Sequence, residues 1–459
     1  MSAYFSGVRV FDVNAVINPS KISENSVIAL VGTSQNVPDD FPKEENQEAK
    51  LNYPYLVTSR SQIKGFDGNL SESLSLIYEQ SPAKVVVMKA ENTDGYSDAI
   101  EACLDISALT GLNPEFLLAP MNESEMKHPS SALKDEALKN FEKLKQVSDQ
   151  KKDLFDKAKK LSDAKPQDSG LKESMELASE AYKLAKKASD EAKKISDTLS
   201  STTQRYEIVG QKLKSVSEKL DAIAIFDVPE EVTLNDAMPA SLQGFWCQPC
   251  WPFVQVASSA QAIKSVPMAP LIAGMYVATD RNSGTGGFWE TPSNRAVSGI
   301  LGLEKIVPYR DDDPQCLANL LGAQKITTII RDGDFKLWNA SRGLFDDNDK
   351  RWQFIPVVRT WRVIKRMLKD SHKWAVARGI KKNLIEEIEV SATEGIKRLK
   401  KMGAVVDGEC VRNDEMMTEP EIMEGRLHFL TKFTPVYITQ QIHFGLALTN
   451  EYLKKGVSK

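Results

Sequence analysis

The chain has 459 residues, of which 41% are hydrophobic and 27% are charged, a composition typical of a globular protein with room for two or three domains. Its formal net charge of −4 offers no basic excess for nucleic acid, and no apolar run approaches the roughly 18–20 residues that cross a bilayer. The five cysteines are an odd number in a long chain, which argues against a disulfide framework.

The first third of the chain alternates short aliphatic runs with helical patterns. Such runs predict buried strands, and they occur at 26–33, 84–90, 115–121 and 222–229. Between them, 71–80 and 96–111 carry apolar residues at helical spacing, and Gly111 is placed to end the second helix. Strands that alternate with helices predict a parallel α/β sheet.

Residues 130–221, between the third and fourth predicted strands, are rich in Ala, Lys, Glu, Ser and Leu. Their apolar side chains recur in steps of three and four, as in a coiled-coil seam, at Leu171, Met175, Ala178, Tyr182, Ala185, Ala188, Ala192, Ile195 and Leu199. AKPQDSGL at 164–171 divides the segment into two arms of roughly 45–50 Å, and SSTTQ at 200–204 is a second candidate break. The segment therefore predicts a helical hairpin, which serves either as a spacer or as a specific binding element.

The chain after residue 230 has a mixed pattern. Residues 261–280 predict an apolar helix that leads into a glycine-rich stretch. Residues 324–341 predict a β-hairpin, because two β-rich runs flank the favoured turn pair Asp332-Gly333.

The C-terminal third carries basic helical patterns and then alternating ones. Residues 351–379 predict a strand that runs into a basic amphipathic helix, and 383–404 predict a further helix with basic residues crowded at its end. The runs 425–435 and 440–449 alternate apolar and polar residues, which is typical of half-buried strands.

Candidate catalytic sites are few. Cys247 and Cys250 form a C-x-x-C without the second pair that a zinc site usually needs, so we interpret them as buried thiols, with a redox or metal role as the alternative. The acidic stretch 310–314 is typical of a solvated turn. No nucleotide-binding P-loop, zinc-protease or serine-hydrolase motif occurs, and the four histidines are scattered. The sequence therefore predicts a protein that is not an enzyme and has no cofactor.

One block and several shorter stretches follow each other in a distinctive order. The order is VIALVGT, PMAPLIAGMYVATDRNSGTGGFWETPSNRAVSGILGL, WQFIPVVRT, LKKMGAVVDG and TPVYITQQIHF. This order resembles the contractile tail sheath family of myophages, R-type bacteriocins and related contractile injection systems. The family pattern AG-x-x-A-x-T-D-x-x-x-G-x-W-x-x-P-A-N is matched at Ala273, Gly274, Ala278, Thr279, Asp280, Trp289, Pro292 and Asn294.

The likeness covers nearly the whole chain apart from about 125–221, which we interpret as an insertion. The hairpin departs from the family pattern, because Gly333, Trp338 and Arg342 occur in shifted positions. On this resemblance the glycine-rich stretch 284–287 is a structural turn anchored by Trp289 rather than a phosphate site.

The resemblance implies a mixed α/β fold. It would comprise a discontinuous core domain from both chain ends, an α/β outer domain with a parallel sheet, and an inserted helical coiled-coil hairpin. The expected divisions are an N-terminal arm and first strand (1–34), an outer domain in two parts (35–129 and 222–300), the helical insertion (130–221), and a C-terminal core with a terminal arm (301–459).

The resemblance also implies a function. The chain would be a structural subunit that polymerises as helical, hexameric rings around a tail tube and contracts to drive the tube through a cell envelope. Its partners would be itself, the tail tube protein, the baseplate and the tail terminator, without direct nucleic-acid contact or membrane insertion. It would reside in a virion tail or an equivalent extracellular contractile particle after assembly in the host cytoplasm. The alternative is an α/β enzyme or an adaptor with a coiled-coil oligomerisation arm.

Two sets of residues are candidates for assembly contacts. Strand arms that join neighbouring subunits would use the alternating apolar residues near both chain ends, Val8, Val10, Val13, Ile442, Phe444, Leu446 and Leu448. The tail tube would be held by the basic end of the second C-terminal helix, Lys397, Arg398, Lys400 and Lys401. The alternative for this basic turn is stabilisation of the helix dipole by cations.

Overall fold

The computed structural model describes residues 26–45, 48–122, 131–164, 169–230, 244, 246–257, 262–281, 287–343 and 349–450. The strands in chain order are β1 (Val27–Thr33), β2 (Pro54–Val57), β3 (Lys84–Ala90), β4 (Phe116–Leu118), β5 (Ile223–Asp227), β6 (Cys247–Cys250), β7 (Val254–Ala257), β8 (Ile263–Val266), β9 (Gly302–Leu303), β10 (Thr328–Asp332), β11 (Asp334–Trp338), β12 (Val405–Arg412) and β13 (Phe429–Pro435). The helices are α1 (Gly68–Gln80), α2 (Tyr96–Ala102), α3 (Ile106–Thr110), α4 (Ser131–Ala164), α5 (Ser169–Leu220), α6 (Ala269–Arg281), α7 (Leu317–Ala323), α8 (Ile355–Ser371), α9 (Lys382–Met402) and α10 (Glu419–Met423). None of these described helices combines the length and apolar character of a membrane span.

The central sheet has six strands in the order β2-β3-β1-β4-β5-β6. Neighbouring strands pair in parallel except at one edge, where β2 runs antiparallel to β3. Residues 27–31 of β1 are fully buried, which explains why this strand is a continuous aliphatic run. The predicted parallel α/β sheet is confirmed, and its four predicted strands are β1, β3, β4 and β5.

Helices cover both faces of the sheet, so that alternate strand residues enter two hydrophobic layers. Leu30 packs in the layer that holds α1 and α6, whereas Val31 packs in the layer that holds α2, α3 and the last turns of α5. Gly274 lets α6 approach α1 closely, because a Cβ at this position would lie 2.8 Å from the carbonyl oxygen of Ile77. A glycine is therefore required here by helix packing.

The predicted helical hairpin is present as α4 and α5. The two helices lie against each other, and the rings of Phe155 and Tyr182 stack with centroids 6.2 Å apart. The second break predicted at 200–204 is wrong, because α5 runs through it without interruption. This stretch contains no glycine or proline, and the end of the same helix is held in the core by Val209 and Leu213. At 1.5 Å per residue, arms of 34 and 52 residues extend about 51 and 78 Å.

Two predicted elements downstream of the sheet are wrong in part. The helix predicted over 261–280 begins only at Ala269, because Ile263–Val266 forms β8, which pairs antiparallel with β7. The strand predicted at the start of 351–379 is absent from the described residues there. Instead α8 begins at Ile355 with Pro356 in its first turn, where a proline is well tolerated.

The remaining C-terminal predictions are confirmed for three elements. The hairpin of β10 and β11 turns at Gly333, which has a φ of 73°. The helix α9 ends at Gly403 in the left-handed conformation, with a φ of 87°. The strand predicted at 425–435 is β13, which pairs antiparallel with β12, a strand that we did not predict.

Candidate assembly surfaces

A buried ion network holds the C-terminal helix α8 against the sheet. Arg359 on α8 is fully buried, and its Nε donates to Oε1 of Glu115 at 2.7 Å. Its two terminal nitrogens donate to both carboxylate oxygens of Asp280 at 3.0 and 2.5 Å, and Ser26 donates a further hydrogen bond to Asp280. The network thus joins the start of β1, the loop before β4, the end of α6 and α8.

Aromatic rings and charges fix the state of this network. The guanidinium carbon of Arg359 lies 5.2 Å from the ring centroids of both Phe116 and Tyr276, which stack on each other. Burial opposes the charge of Arg359, but Asp280 and Glu115 outweigh it and raise its pKa above the usual range. Burial likewise favours neutral Glu115, yet the Arg359 and Arg362 guanidinium groups hold the pKa of its carboxyl below the usual value. Glu115 and Arg359 therefore favour their charged forms, whereas burial raises the pKa of the Asp280 carboxyl although Arg359 opposes that rise.

This network connects the two sequence stretches on which the resemblance mainly rests. Asp280 closes the ATD triplet of the long block, and Arg359 lies in PVVRT. Neither residue was predicted to have this role. The only available signal was an arginine among apolar residues, in a stretch that we predicted to be a strand.

The C-terminal arm, defined here as residues 436–450, has no regular secondary structure and forms no ladder with any described residue. Its anchor is Gln440, whose side-chain amide donates to Ser341 Oγ at 2.5 Å. Beyond it the apolar side chains stand almost entirely in solvent, with exposed fractions of 69% for Ile442, 85% for Phe444, 100% for Leu446 and 102% for Leu448. The strand predicted at 440–449 is therefore not formed within the described chain, although its apolar residues alternate as expected.

The two-stranded sheet of β12 and β13 offers open edges close to the start of this arm. Each strand pairs with the other alone among the described residues, so each retains one unpaired edge. One face packs on α9, where a Cβ on Gly408 would lie 2.9 Å from Ile396. Val406 and Val411 are exposed. Packing on α9 supports the two strands, and their open edges remain able to accept added strands.

The basic turn of α9 lies on the surface as predicted from its sequence, but its charge is partly compensated. Lys397, Arg398, Lys400 and Lys401 are all exposed. Lys397 forms an ion pair with Glu394 at 2.9 Å, and Lys400 forms one with Asp407 at 2.6 Å. A partner that binds this turn must therefore compete with two internal carboxylates.

Some predicted positions fall outside the described residues. Val8, Val10 and Val13 of the N-terminal arm do so, as do residues 284–286 of the glycine-rich stretch. The residue that is buried beside this stretch is Phe288, which packs with Met367 and Leu399, while Trp289 is only partly buried and meets it edge-on at 4.9 Å.

The C-x-x-C pair forms the edge strand β6 of the central sheet. Burial raises the pKa of Cys247 to about 12 and that of Cys250 well above its usual value, so both thiols stay protonated. The described residues contain no group of histidine, cysteine or acidic side chains that could hold a metal ion. Protonated, buried thiols are poor nucleophiles and poor ligands.

Comparisons with known proteins agree with this architecture. No family model matches the chain. A putative prophage major tail sheath protein of Pseudomonas aeruginosa (strain UCBPP-PA14) is 32% identical over 50% of this chain and 59% of its own length. The tail sheath protein of Escherichia phage P2 is 28% identical over 38% of this chain and 43% of its own length. The chain spans about half the length of the curated relatives it matches.

Solved structures extend the likeness to almost the whole chain. The contracted helical sheath of the anti-feeding prophage has a TM-score of 0.60 at 15% identity, covering 98% of this chain and 100% of that one. The contracted sheath complex of the extracellular contractile injection system PVC has a TM-score of 0.58 at 13% identity, covering 98% and 99%. The chain therefore has the fold of contractile sheath proteins and is similar in sequence to tail sheath proteins over half its length, which confirms the resemblance to the contractile tail sheath family.

Proposed function

We propose that this chain is a structural sheath subunit that polymerises into a helical sleeve around a tail tube and contracts to drive the tube through a cell envelope. The observation that carries the proposal is the C-terminal arm, because it exposes four alternating apolar side chains on a segment that pairs with no described strand. A monomeric protein rarely leaves such a strand uncovered.

Strand addition accounts for how such an arm can link subunits. An extended segment that joins the open edge of a neighbour's sheet gains main-chain hydrogen bonds, and its alternate side chains gain burial. Burying each of Ile442, Phe444, Leu446 and Leu448 is worth about 1.5–3 kcal/mol. The open edges of β12 and β13 are the acceptors that we propose, and the N-terminal arm with Val8, Val10 and Val13 would add a strand in the same way.

Arms that link neighbouring subunits are suited to a helical sleeve whose lattice changes during contraction. Main-chain links can act as hinges while the rest of the subunit surface exchanges side-chain contacts. We propose that contraction draws on energy stored at assembly and requires neither catalysis nor a cofactor. The partners would be the tail tube, the baseplate and the terminator, in a virion tail or an equivalent extracellular particle assembled in the host cytoplasm.

Electron microscopy of the purified chain tests this proposal. In negative stain we expect long hollow tubes, because every subunit both donates an arm and offers an acceptor edge. A small closed oligomer would instead favour the α/β enzyme or adaptor. Tubes whose length depends on protein concentration would further support open-ended helical growth.

The tail tube contact can be tested separately at the basic turn of α9. Reversing Lys397, Arg398, Lys400 and Lys401 to Glu is expected to spare polymerisation of the sheath alone and to abolish assembly on tubes. Exposed ion pairs contribute about 0–1 kcal/mol each, so binding of the sheath to the tube would depend on the repetition of this contact along the tube. Co-sedimentation of sheath subunits with purified tubes measures the loss.

A control variant with the same charge change separates this contact from a general effect of charge. Lys145, Lys152, Lys159 and Lys186 are exposed on the helical hairpin, and their reversal to Glu is expected to leave tube binding unchanged. Normal extended tails from the α9 variant would contradict the assignment.

A further inference from the structure

The helical hairpin of α4 and α5 has a seam that is only partly apolar. Its seam positions in α4 recur in steps of three and four and include Phe155, but also Ser148 and Ser162, which are both buried. Ser189 is buried at a seam position of α5. Several seam positions therefore contribute little apolar burial, so the hairpin alone buries less apolar area than a typical coiled coil.

Larger aliphatic side chains lie outside the seam at heptad spacing. On α4 these are Val147, Leu154 and Leu161, with exposed fractions of 37%, 54% and 58%. On α5 they are Leu177 and Leu184, with exposed fractions of 63% and 71%. Spacing by seven residues places the members of each set on one stripe of their helix.

Both stripes lie on the same face of the hairpin. Leu154 precedes the seam residue Phe155 by one position and Leu184 precedes the seam residue Ala185 by one position, so each leucine is rotated by about −100° from a seam residue. In an antiparallel helix pair, equal senses of rotation from the seam lead to the same face. We call this surface, formed by Val147, Leu154, Leu161, Leu177 and Leu184, the leucine face.

The opposite face of the hairpin has a different chemistry. It carries exposed lysines at Lys145, Lys152, Lys159, Lys186 and Lys193. An apolar surface gains nothing by docking on such a row of charges. The exposed large apolar side chains of the described hairpin all belong to the leucine face, so a second hairpin covers this face best with its own leucine face.

We infer that the leucine face binds the leucine face of a second copy of this chain, to form a four-helix bundle with a twofold axis along the hairpin. The stacked rings of Phe155 and Tyr182 define the axial alignment of the two helices, because these residues lie at the same height along the hairpin. This level places Leu154 opposite Leu184 of the second copy and Leu161 opposite Leu177.

Charges at the rim of the leucine face complement each other in this arrangement. Lys157 lies beside the stripe of α4 and Glu180 beside the stripe of α5, both exposed and at the same level. Neither side chain forms a salt bridge with another described residue in the subunit. The twofold axis brings Lys157 of each copy to Glu180 of the other, whereas an antiparallel docking would place lysine on lysine.

The symmetry of this contact limits what it can join. A twofold contact uses the same surface on both hairpins, so it joins two hairpins and leaves no surface for a third. Subunits of one polar helical tube all point the same way, so they are not related by such an axis. The bundle therefore joins subunits of different tubes, or two subunits before they polymerise, and it does not depend on the proposed sheath function.

Mixed disulfide trapping tests the bundle in the full-length chain. The native cysteines are all buried, so an introduced surface cysteine is the accessible one. A chain carrying Leu154→Cys is mixed with a chain carrying Leu184→Cys, and oxidation is expected to yield a covalent dimer in the mixture. The control pair, Lys152→Cys with Lys186→Cys, lies at the same level on the opposite face and is expected to yield only collisional dimer.

Charge reversal gives a second, independent readout. Lys157→Glu in the cysteine chains is expected to weaken trapping about tenfold, because the two symmetry-related contacts between residues 157 and 180 become repulsive. Adding Glu180→Lys to the same chains is expected to restore trapping. Restoration shows that the loss was not misfolding. Equal trapping by the leucine-face and control pairs, or a reversal that the second substitution does not restore, would overturn the inference.

Discussion

Replacing Ile442, Phe444, Leu446 and Leu448 together by Asp is expected to abolish tube formation and to leave folded, soluble subunits. All four side chains are exposed within the subunit, so their replacement removes no internal packing. In a neighbour's sheet, by contrast, four carboxylates would have to be buried on one face of the added strand, at a cost of several kcal/mol each. Negative-stain microscopy gives the tubes, and circular dichroism with thermal unfolding gives the fold.

A control on the other side of the same strand separates strand addition from a general effect of charge in the arm. His443 and Ala447 alternate with the apolar residues and would face away from the neighbour's core. The variant His443→Asp with Ala447→Asp is expected to form tubes. If the quadruple variant polymerises to wild-type length, the C-terminal arm is not the link between subunits.

Replacing Arg359 by Met is expected to destabilise the subunit by about 3–5 kcal/mol, the usual effect of removing one partner from a buried ion pair. Met preserves most of the apolar stem but leaves Glu115 and Asp280 without their main donor inside the core. Chemical denaturation of the full-length chain measures the loss, and we expect it to be accompanied by poor soluble yield.

Two further variants define the cause of this loss. Arg351→Met breaks an ion pair with Asp349 whose arginine is exposed, and it is expected to leave the stability of the subunit nearly unchanged. Neutralising the acids in the same chain, as Arg359→Met with Glu115→Gln and Asp280→Asn, is expected to recover part of the stability. If Arg359→Met alone is as stable as wild type, the network contributes little to the free energy of unfolding.

The parallel sheet was predictable from sequence because burial on both faces makes β1, β3 and β5 continuous aliphatic runs. The same reasoning failed for β6, where Gln248 and Pro249 interrupt the run. There, a buried hydrogen bond from Gln248 to Thr327 compensates for the polar side chain. Local pattern also could not exclude a break in α5 at 200–204, because the contacts that anchor this helix, at Val209 and Leu213, are made with residues distant in sequence.

The candidate surfaces also differ in whether local sequence patterns can predict them. The alternation in the C-terminal arm is a local signal, but the strand that it predicted is absent from the described subunit, and its pairing with a neighbour stays a prediction. The ion network around Arg359 is not local: its members Ser26, Glu115, Asp280 and Arg359 come from four separate parts of the chain. A single sequence offers no pattern that pairs residues so far apart, so the partners of Arg359 could not be predicted.

The position of the hairpin has a consequence for how the chain folds. Strands β4 and β5 are direct parallel neighbours, although residues 119–222 lie between them. A disordered loop of this length would impose a closure entropy before the strands could meet. Two antiparallel helices form from local contacts, and they return the chain close to where it left the sheet. The insertion thus lowers the effective contact order of the central sheet, and its helices are expected to form before β4 and β5 pair.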